Sequence, residues 1–479
     1  MTPDVETARA GPRQWLGLAV LLTGMFVASL DTFIVFLAVP TMQASFDMSF
    51  AQTEMVVAGY TLALGIGLIT SGRLGDRYGR RRLFVIGLFG FTATSGLCGV
   101  AWSAETLVIA RLLQGVSAAI LSPQVLAIIR VEFTSPKDRA TAFGWMGAAM
   151  GVGAIAGQVV GGLILSADLW DLTWRPLFLL NIPIGILALC VAPYVLRESR
   201  AAAAQNIDLA GIVLSTLGLA LLLFPLMEGR EAGWPGWTFL MLAVATALLC
   251  GFAAHQHVKT RRGASPLLDT TLFAEPGFSL GVALVLVFYA QNAPLLLSLT
   301  YLLQTGLGHP PLHAALIFSP MPVAFVVASY LAGRVPSRNA RRLLLAGVAI
   351  SALGAFAFLV ASRFPSALGL ISLLPGLLLS GFGQGLFMTP ILNVVLNGVC
   401  ERHAGAASGV LVTVQRVGNA AGVAVLGIPF FAVVERFLGN GVPADIAYAD
   451  AFSVLMFCVI AMFLIVAAML FGLPGRKAR

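Results

Sequence analysis

Fourteen apolar runs, each long enough to cross a bilayer as a helix, follow one another along this chain of 479 residues. They lie near 15–39, 50–71, 83–101, 104–130, 141–165, 176–195, 209–228, 237–256, 278–303, 311–333, 343–361, 366–394, 404–434 and 450–472. Backbone N–H and C=O groups have no water to bond in hydrocarbon, so such runs fold as helices and stay helical. The connections between them are too short for a separate soluble domain. Charge agrees with this reading, since Asp, Glu, Lys and Arg make up 10% of the residues, against roughly 25% in soluble domains. The first run is too long for a signal peptide and lacks a small-residue cleavage site, so it reads as the first span.

The formal charge of +8 is a topology signal. With both termini in the cytoplasm, 23 of the 29 basic residues fall on inner segments, among them Arg73, Arg77 and Arg80–Arg82, Lys259–Arg262, and Arg334–Arg342. Four, Arg175, Arg230, Arg363 and Arg436, fall outside, and Arg111 and Arg416 lie within spans. A miscounted helix would scramble that alternation. No basic patch interleaved with aromatic residues is present, so nucleic acid is not an expected partner. The five cysteines are scattered without metal-ligand spacing, and neither metal nor disulfides are expected.

The segment Gly72-Arg-Leu-Gly-Asp-Arg-Tyr-Gly-Arg-Arg-Arg82 between spans 2 and 3 has a degenerate copy at Gly333–Leu343. Gly72, Arg73, Arg77, Arg80 and Arg81 recur 261 residues later as Gly333, Arg334, Arg338, Arg341 and Arg342, while Asp76 becomes Ser337. Two related six-helix halves with two extra helices between them produce this offset, one of the recognised repeat architectures of transporters.

The Gly72–Arg82 loop resembles the signature loop of the major facilitator superfamily. Leu30-Asp-Thr-Phe-Ile-Val, with Val39-Pro40, is similar to the first-helix motif of its fourteen-helix drug:proton antiporter branch. Arg111-Leu-Leu-Gln-Gly115 with Pro123 resembles the motif associated with proton transfer, and Trp174-Arg175-Pro-Leu-Phe178 with Asn181-Ile-Pro183-Ile-Gly185 resembles a further feature of that branch. Span 5, with Gly153, Gly157, Gly161 and Gly162, resembles the antiporter motif, except that Gln158 stands where the family carries proline. Glutamine keeps the backbone donor that proline removes, so the usual kink loses its simplest cause. The resemblance implies an all-α polytopic protein of the major facilitator fold, with fourteen spans. Residues 1–200 would form one six-helix bundle, 201–265 two inserted transmembrane helices, and 266–479 the second bundle. It implies no cofactor and no catalysis; the partners are a small-molecule substrate, protons and the lipid bilayer of the inner (plasma) membrane. The chain is expected to act as a monomer.

Asp31 is the only acid deep in a span, and such a charge usually faces a cavity and has a partner. It lies about 13 Å from the outer end of span 1, and Arg111 roughly 10 Å from that of span 4. Equal depths allow the two to pair, for proton binding, for substrate recognition or as a structural charge. Arg416 lies at least about 18 Å from either end of span 13, beyond snorkelling reach, and is expected to face the cavity. Arginines of the Gly72–Arg82 loop satisfy the positive-inside rule, but Gly72, Gly79 and Asp76 need another reason. Tight-turn glycines and a carboxylate able to bond arginine fit a cytoplasmic gate latch, which is the family reading. Gly147 and Gly151, like Gly153, Gly157 and Gly161, are four apart and predict close helix packing. Gln114, Tyr289, Gln291, Asn292 and Asn393 join Arg416 as candidate groups of the substrate cavity. The expected activity is export of an amphipathic molecule against protons. Import of a small metabolite with protons is the alternative. No Gly-x-x-x-x-Gly-Lys motif supplies a nucleotide engine, and the histidines form no metal or catalytic set.

Overall fold

A computed structural model describes residues 10–168, 171–200, 208–229, 232–264, 266–335, 339–365, 368–396 and 404–472. Thirteen stretches among them are long and apolar enough to span a membrane, and a bent pair, Phe50–Leu68 with Thr70–Tyr78, makes the fourteenth. No strand occurs among the described residues. An even number of spans puts Pro12 and Gly472 at the same end of the bundle.

Helices α1 (Pro12–Phe46), α2 (Phe50–Tyr78), α3 (Arg80–Gly99), α4 (Ala104–Glu132) and α5 (Pro136–Ala167) match the first five apolar runs. Several run past the apolar stretch into capped ends. Ser49 caps α2 by accepting from the Gln52 N–H while Gln52 Oε1 accepts from the Ser49 N–H. The sixth run is broken into α6 (Arg175–Leu179) and α7 (Asn181–Val195). Next come α8 (Leu209–Glu228) and α9 (Gly236–Arg261), which pack together as a hairpin beside α2. The ninth run becomes α10 (Pro276–Ala290) and α11 (Asn292–Tyr301), continued by a π-helical turn at Leu302–Gly306. The tenth becomes α12 (Pro311–Phe318) and α13 (Pro320–Arg334), followed by α14 (Ala340–Ala361), α15 (Leu370–Leu396), α16 (Ala404–Gly439) and α17 (Ala444–Gly472).

The breaks have local causes. Proline lacks an N–H and crowds the carbonyl four residues back: Pro183 acts on Leu179, and Pro294 on Ala290. The 49° bend in α2 follows Gly65 and Gly67 and precedes Ser71-Gly72, weak points of a helix. Close packing elsewhere is carried by glycine. A Cβ at Gly153 would meet Phe26 O at 2.7 Å, and one at Gly157 would meet Leu30 O at 2.6 Å, so α5 rests directly on the backbone of α1.

The hairpin is clamped at its base. Buried Asp208 caps α8, accepting from the Gly211 N–H (3.0 Å), His255 Nε2 (3.0 Å), Gln256 Nε2 (2.7 Å) and Lys259 Nζ (3.0 Å). Gln256 Oε1 in turn accepts from the Leu268 N–H, and Arg73 at the end of α2 donates to Pro266 O. Burial alone would raise the Asp208 carboxyl, but the bonds from His255, Gln256, Lys259 and Gly211 outweigh it and hold the group well below the usual carboxylate range. Its stabilising contribution is therefore present above the unfolded value near ~4 and is lost only as pH falls through the lower folded value. Asp208→Ala is expected to cost about 1–3 kcal/mol, by stranding buried donors. The deficit is read by thermal unfolding in detergent at pH 8; a variant as stable as the parent would contradict it.

Candidate functional site

Asp31 and Arg111 meet. The Arg111 Nη1 donates to Asp31 Oδ2 at 2.6 Å, with the carboxylate fully buried and the guanidinium nearly so. Gln114 Nε2 donates to the other carboxylate oxygen at 2.9 Å, and Asn181 Nδ2 reaches the same atom at 3.3 Å. Arg111 also donates to Gln114 Oε1 (2.6 Å) and, through Nε, to Val56 O (3.1 Å), while its guanidinium carbon stands 4.2 Å from the centre of the Tyr60 ring. The helices α1, α2, α4 and α7 thus converge on one charge pair. A buried pair survives in a low dielectric only when its remaining lone pairs and protons are bonded, and here neighbours supply those bonds. Gln114, grouped by sequence with the cavity, belongs to this cluster and has no exposed surface. Asn181, Ser95 and Tyr60 complete it. Asn181 was visible in the sequence only as part of the Trp174–Gly185 motif, and Tyr60 carried no signal.

Arg416 is half-buried about a third of the way along α16, where a Cβ at Gly65 would lie 2.6 Å from its own Cβ. The stretch of α16 around Arg416 packs against α2 on one side and α10 on the other. Gly418 and Gly422 let α16 touch the backbone of α10 at Leu286 and Ala290. Around this contact several buried polar atoms have no hydrogen-bond partner among the described residues: Gln291 Nε2 and Oε1, Gln415 Nε2, Asn419 Oδ1 and Thr413 Oγ1. Asn292 is half-buried beside Gln291 at the α10–α11 break. The side chain of Asn393, and Ser337 and Arg338 of the second loop copy, lie outside the described residues.

The halves close at the end opposite Pro12. There the rings of Phe50 and Phe431 stack at 4.2 Å, Tyr301 Oη donates to Gln43 Oε1 at 2.7 Å, and Gln304 Nε2 donates to Leu37 O at 2.9 Å. Gly162 rests on Leu312 and Ala315 of α12, and the Leu312 N–H donates to Ser166 Oγ. Gln158 is on the same stripe of α5, buried with Oε1 unbonded among the described residues, and the helix runs through it unbroken. The packing expected at Gly147 and Gly151 is not found: a Cβ at either would meet nothing within 4 Å. The stripe that presses Gly162 against α12 carries these two into open space nearer the N-terminal end. On α13, Gly333 is likewise open. The contacts between the halves named here lie at that closed end and the open Gly147, Gly151 and Gly333 lie toward the Gly72–Arg82 loop, so the space between the halves opens at the loop end.

In that loop Asp76 pairs with Arg80 at 2.7 Å, one helical turn apart. Gly79 joins α2 to α3 at φ 113°, a conformation that side chains resist. Glu198, just beyond α7, accepts from the N–H groups of Arg81 (3.1 Å) and Arg82 (3.3 Å) and so caps α3, and Ser199 O accepts from the Arg80 N–H. Arg77 is exposed and lies against the Tyr78 ring. The loop thus bonds within its own turn, to Pro193 and Leu196 at the end of α7, to Glu198–Ser199 and, through Arg73, to Pro266. Glu198 was missed from sequence, although it is the one acid between Arg197 and Arg200. A Cβ at Gly79 would meet the Glu198 carboxylate at 2.6 Å. Gly79→Ala is expected to cost about 1–3 kcal/mol of stability through strain, and part of that loss should vanish in a Glu198→Ala background. Equal losses in both backgrounds, measured by thermal unfolding, would refute the contact.

A membrane-spanning helical bundle with a deep ion pair in one half, a polar face in the other and a cleft open at one end is the architecture of a secondary transporter. The sequence matches the Major Facilitator Superfamily over residues 21–423, and the chain belongs to that family. Among its relatives are a probable actinorhodin transporter of Streptomyces coelicolor, 40% identical over 90% of this chain and 76% of the relative. The multidrug resistance protein Stp of Mycobacterium tuberculosis is 34% identical over 86% of this chain and 75% of its own. The puromycin resistance protein pur8 of Streptomyces alboniger is 34% identical over 92% and 86%. Among solved structures, a bacterial homologue of the human lysosomal transporter Spinster, inward-facing and unoccupied, superposes with a TM-score of 0.70 at 17% identity, covering 97% of both chains. The POT family transporter PepTSo gives 0.70 at 13% identity, covering 97% of this chain and 99% of its own.

Proposed function

We propose that the chain exports amphipathic, antibiotic-like molecules from the cytoplasm in exchange for protons, by alternating access. The observation that carries this reading is the Asp31–Arg111–Gln114 cluster, a proton-exchangeable acid held by its counter-charge at the depth where a coupled transporter needs one. Relatives named for drug resistance and antibiotic transport support the direction. The arginine bias supports both termini in the cytoplasm, and on that orientation the cleft described above opens inward. The Gly72–Arg82 loop then acts as a latch for the opposite, outward-open state. Residues 1–200 and 266–479 are the moving halves, with 201–265 as an inserted hairpin.

The polar groups around Arg416 suggest what is carried. Asp31 is neutralised by Arg111, so the net charge offered to a ligand between the halves is that of Arg416. Tyr289, Gln291, Asn292, Gln415 and Asn419 add neutral hydrogen-bonding capacity. Neutral or anionic amphiphiles rich in carbonyl and hydroxyl groups fit that set, and dications do not. The test is uptake into inside-out vesicles with an imposed pH gradient, using a panel that spans anionic, neutral and dicationic amphiphiles. Gradient-driven uptake confined to the first two classes is expected. Accumulation of a dicationic antiseptic, or transport indifferent to the gradient, would overturn the reading.

A further inference from the structure

The two halves share one packing plan, which places a second copy of the ion-pair cluster in the C-terminal half. In the N-terminal half Gly157 of α5 lies against Leu30 O of α1, and Asp31 is the next residue. In the C-terminal half Gly422 of α16 lies in the same way against Ala290 O of α10, and the next residue is Gln291. On α4, Gly115 meets Tyr60 O and the Ala63 methyl of α2; on α15, Gly385 meets Phe325 O and the Ala328 methyl of α13. Gln114 precedes the first of these glycines and Gln384 the second. One helical turn before Gly115, Arg111 donates to Val56 O; one turn before Gly385 stands Gly381, against Met321 O. Gln291 thus takes the place of Asp31, Gln384 that of Gln114, and glycine that of Arg111. The copy keeps the carboxamide and has lost both charges.

The register of α10 and α15 brings the two glutamines together. The rings of Phe288 and Phe387 stack at 3.7 Å, and Gln291 and Gln384 each lie one turn from that stack toward the closed end. They are only 1% and 4% exposed. In the N-terminal half Gln114 Nε2 donates to Asp31 at 2.9 Å. Here Gln291 Nε2, Gln291 Oε1 and Gln384 Nε2 have no hydrogen-bond partner among the described residues. Buried polar groups are costly to leave unpaired, so such a set calls for a partner from outside the fold. Asn419, one turn before Gly422 on α16, also has an unclaimed oxygen, which joins the pair to the polar face around Arg416. Pro294 has no N–H for the Ala290 carbonyl, so the helix is jointed beside Gln291.

We propose that Gln291 and Gln384 together read a neutral hydroxyl group on the transported molecule, an inference that rests on the export reading above and narrows its substrate class. The unclaimed atoms are two amide nitrogens and one oxygen. A hydroxyl accepts from both nitrogens and donates to Gln291 Oε1. A carboxylate accepts from both but sets an anion against that oxygen. An ammonium strands the two nitrogens, and an ether strands the oxygen. One copy of the site holds the proton, and the other holds the cargo.

The test is uptake into inside-out vesicles, under an imposed pH gradient, of 2-naphthol, 4-phenylphenol and estradiol, each beside its fully methylated ether. The hydroxyl form should enter about tenfold faster than its ether, because the ether leaves a buried acceptor unmatched. Gln291→Met/Gln384→Met should bring that ratio close to unity. In detergent without any probe, the same double variant should melt no lower than the parent, since it loses no bond within the protein. Equal uptake of both forms by the parent leaves the amides to water alone and overturns the assignment, as does a ratio undiminished in the double variant. A variant that melts lower than the parent overturns it too, by making the glutamines a structural pair. Uptake of neither form of any probe overturns the export reading along with it.

Discussion

Asp31→Asn is expected to abolish gradient-driven efflux while some downhill substrate exchange survives. Asparagine keeps the shape, and its one side-chain oxygen can still accept from Arg111, so the helices that meet at the cluster stay in place. It cannot take up and release a proton. The chain has no other acid deep in a span to replace it. Substrate-induced proton movement in reconstituted liposomes is the measurement that decides. Coupled flux at the parent level would remove Asp31 from the mechanism, and a variant that fails to bind substrate or to fold would make the residue a recognition or structural group.

Arg111→Leu is expected to be the most damaging single change to stability, at about 3–5 kcal/mol, because it leaves a buried carboxylate without its cation. Gln114 and Asn181 still donate to Asp31 but carry no charge. Combining Arg111→Leu with Asp31→Asn removes the stranded charge and should recover a large part of the loss, which is the non-additivity of a contacting pair. Denaturation in detergent of the two single variants and the double provides the cycle. Additive losses would show that Arg111 matters through packing on Tyr60 rather than through Asp31.

Much of this architecture is legible in the sequence because a bilayer leaves few choices. Hydrophobic length marks the spans, arginine placement orders them, and equal depth on two helices anticipates the Asp31–Arg111 contact. What escapes is set by tertiary geometry. Glu198 lies 116 residues from Arg82 along the chain, and only the return of α7 beside α3 makes it a cap. Asn181 reaches Asp31 across 150 residues for the same reason. Glycine spacing predicts that α5 can pack closely but not where. Gly153, Gly157 and Gly161 find α1, while Gly147 and Gly151 look into the open cleft, because which partner a small residue meets depends on the conformational state of the whole molecule. The α10–α11 break was written in Pro294, yet an uninterrupted apolar run conceals it.

The two sides of the cleft differ in how much freedom they leave to change. Asp31 and Arg111 are committed to each other and to Gln114, so a mutation at any of the three disturbs the others. Gln291, Gln415 and Asn419 hold atoms that no described neighbour claims, and a substitution there strands nothing. On the function proposed above, selection by a new toxin would rewrite the cargo list in the C-terminal half while the engine is inherited unaltered.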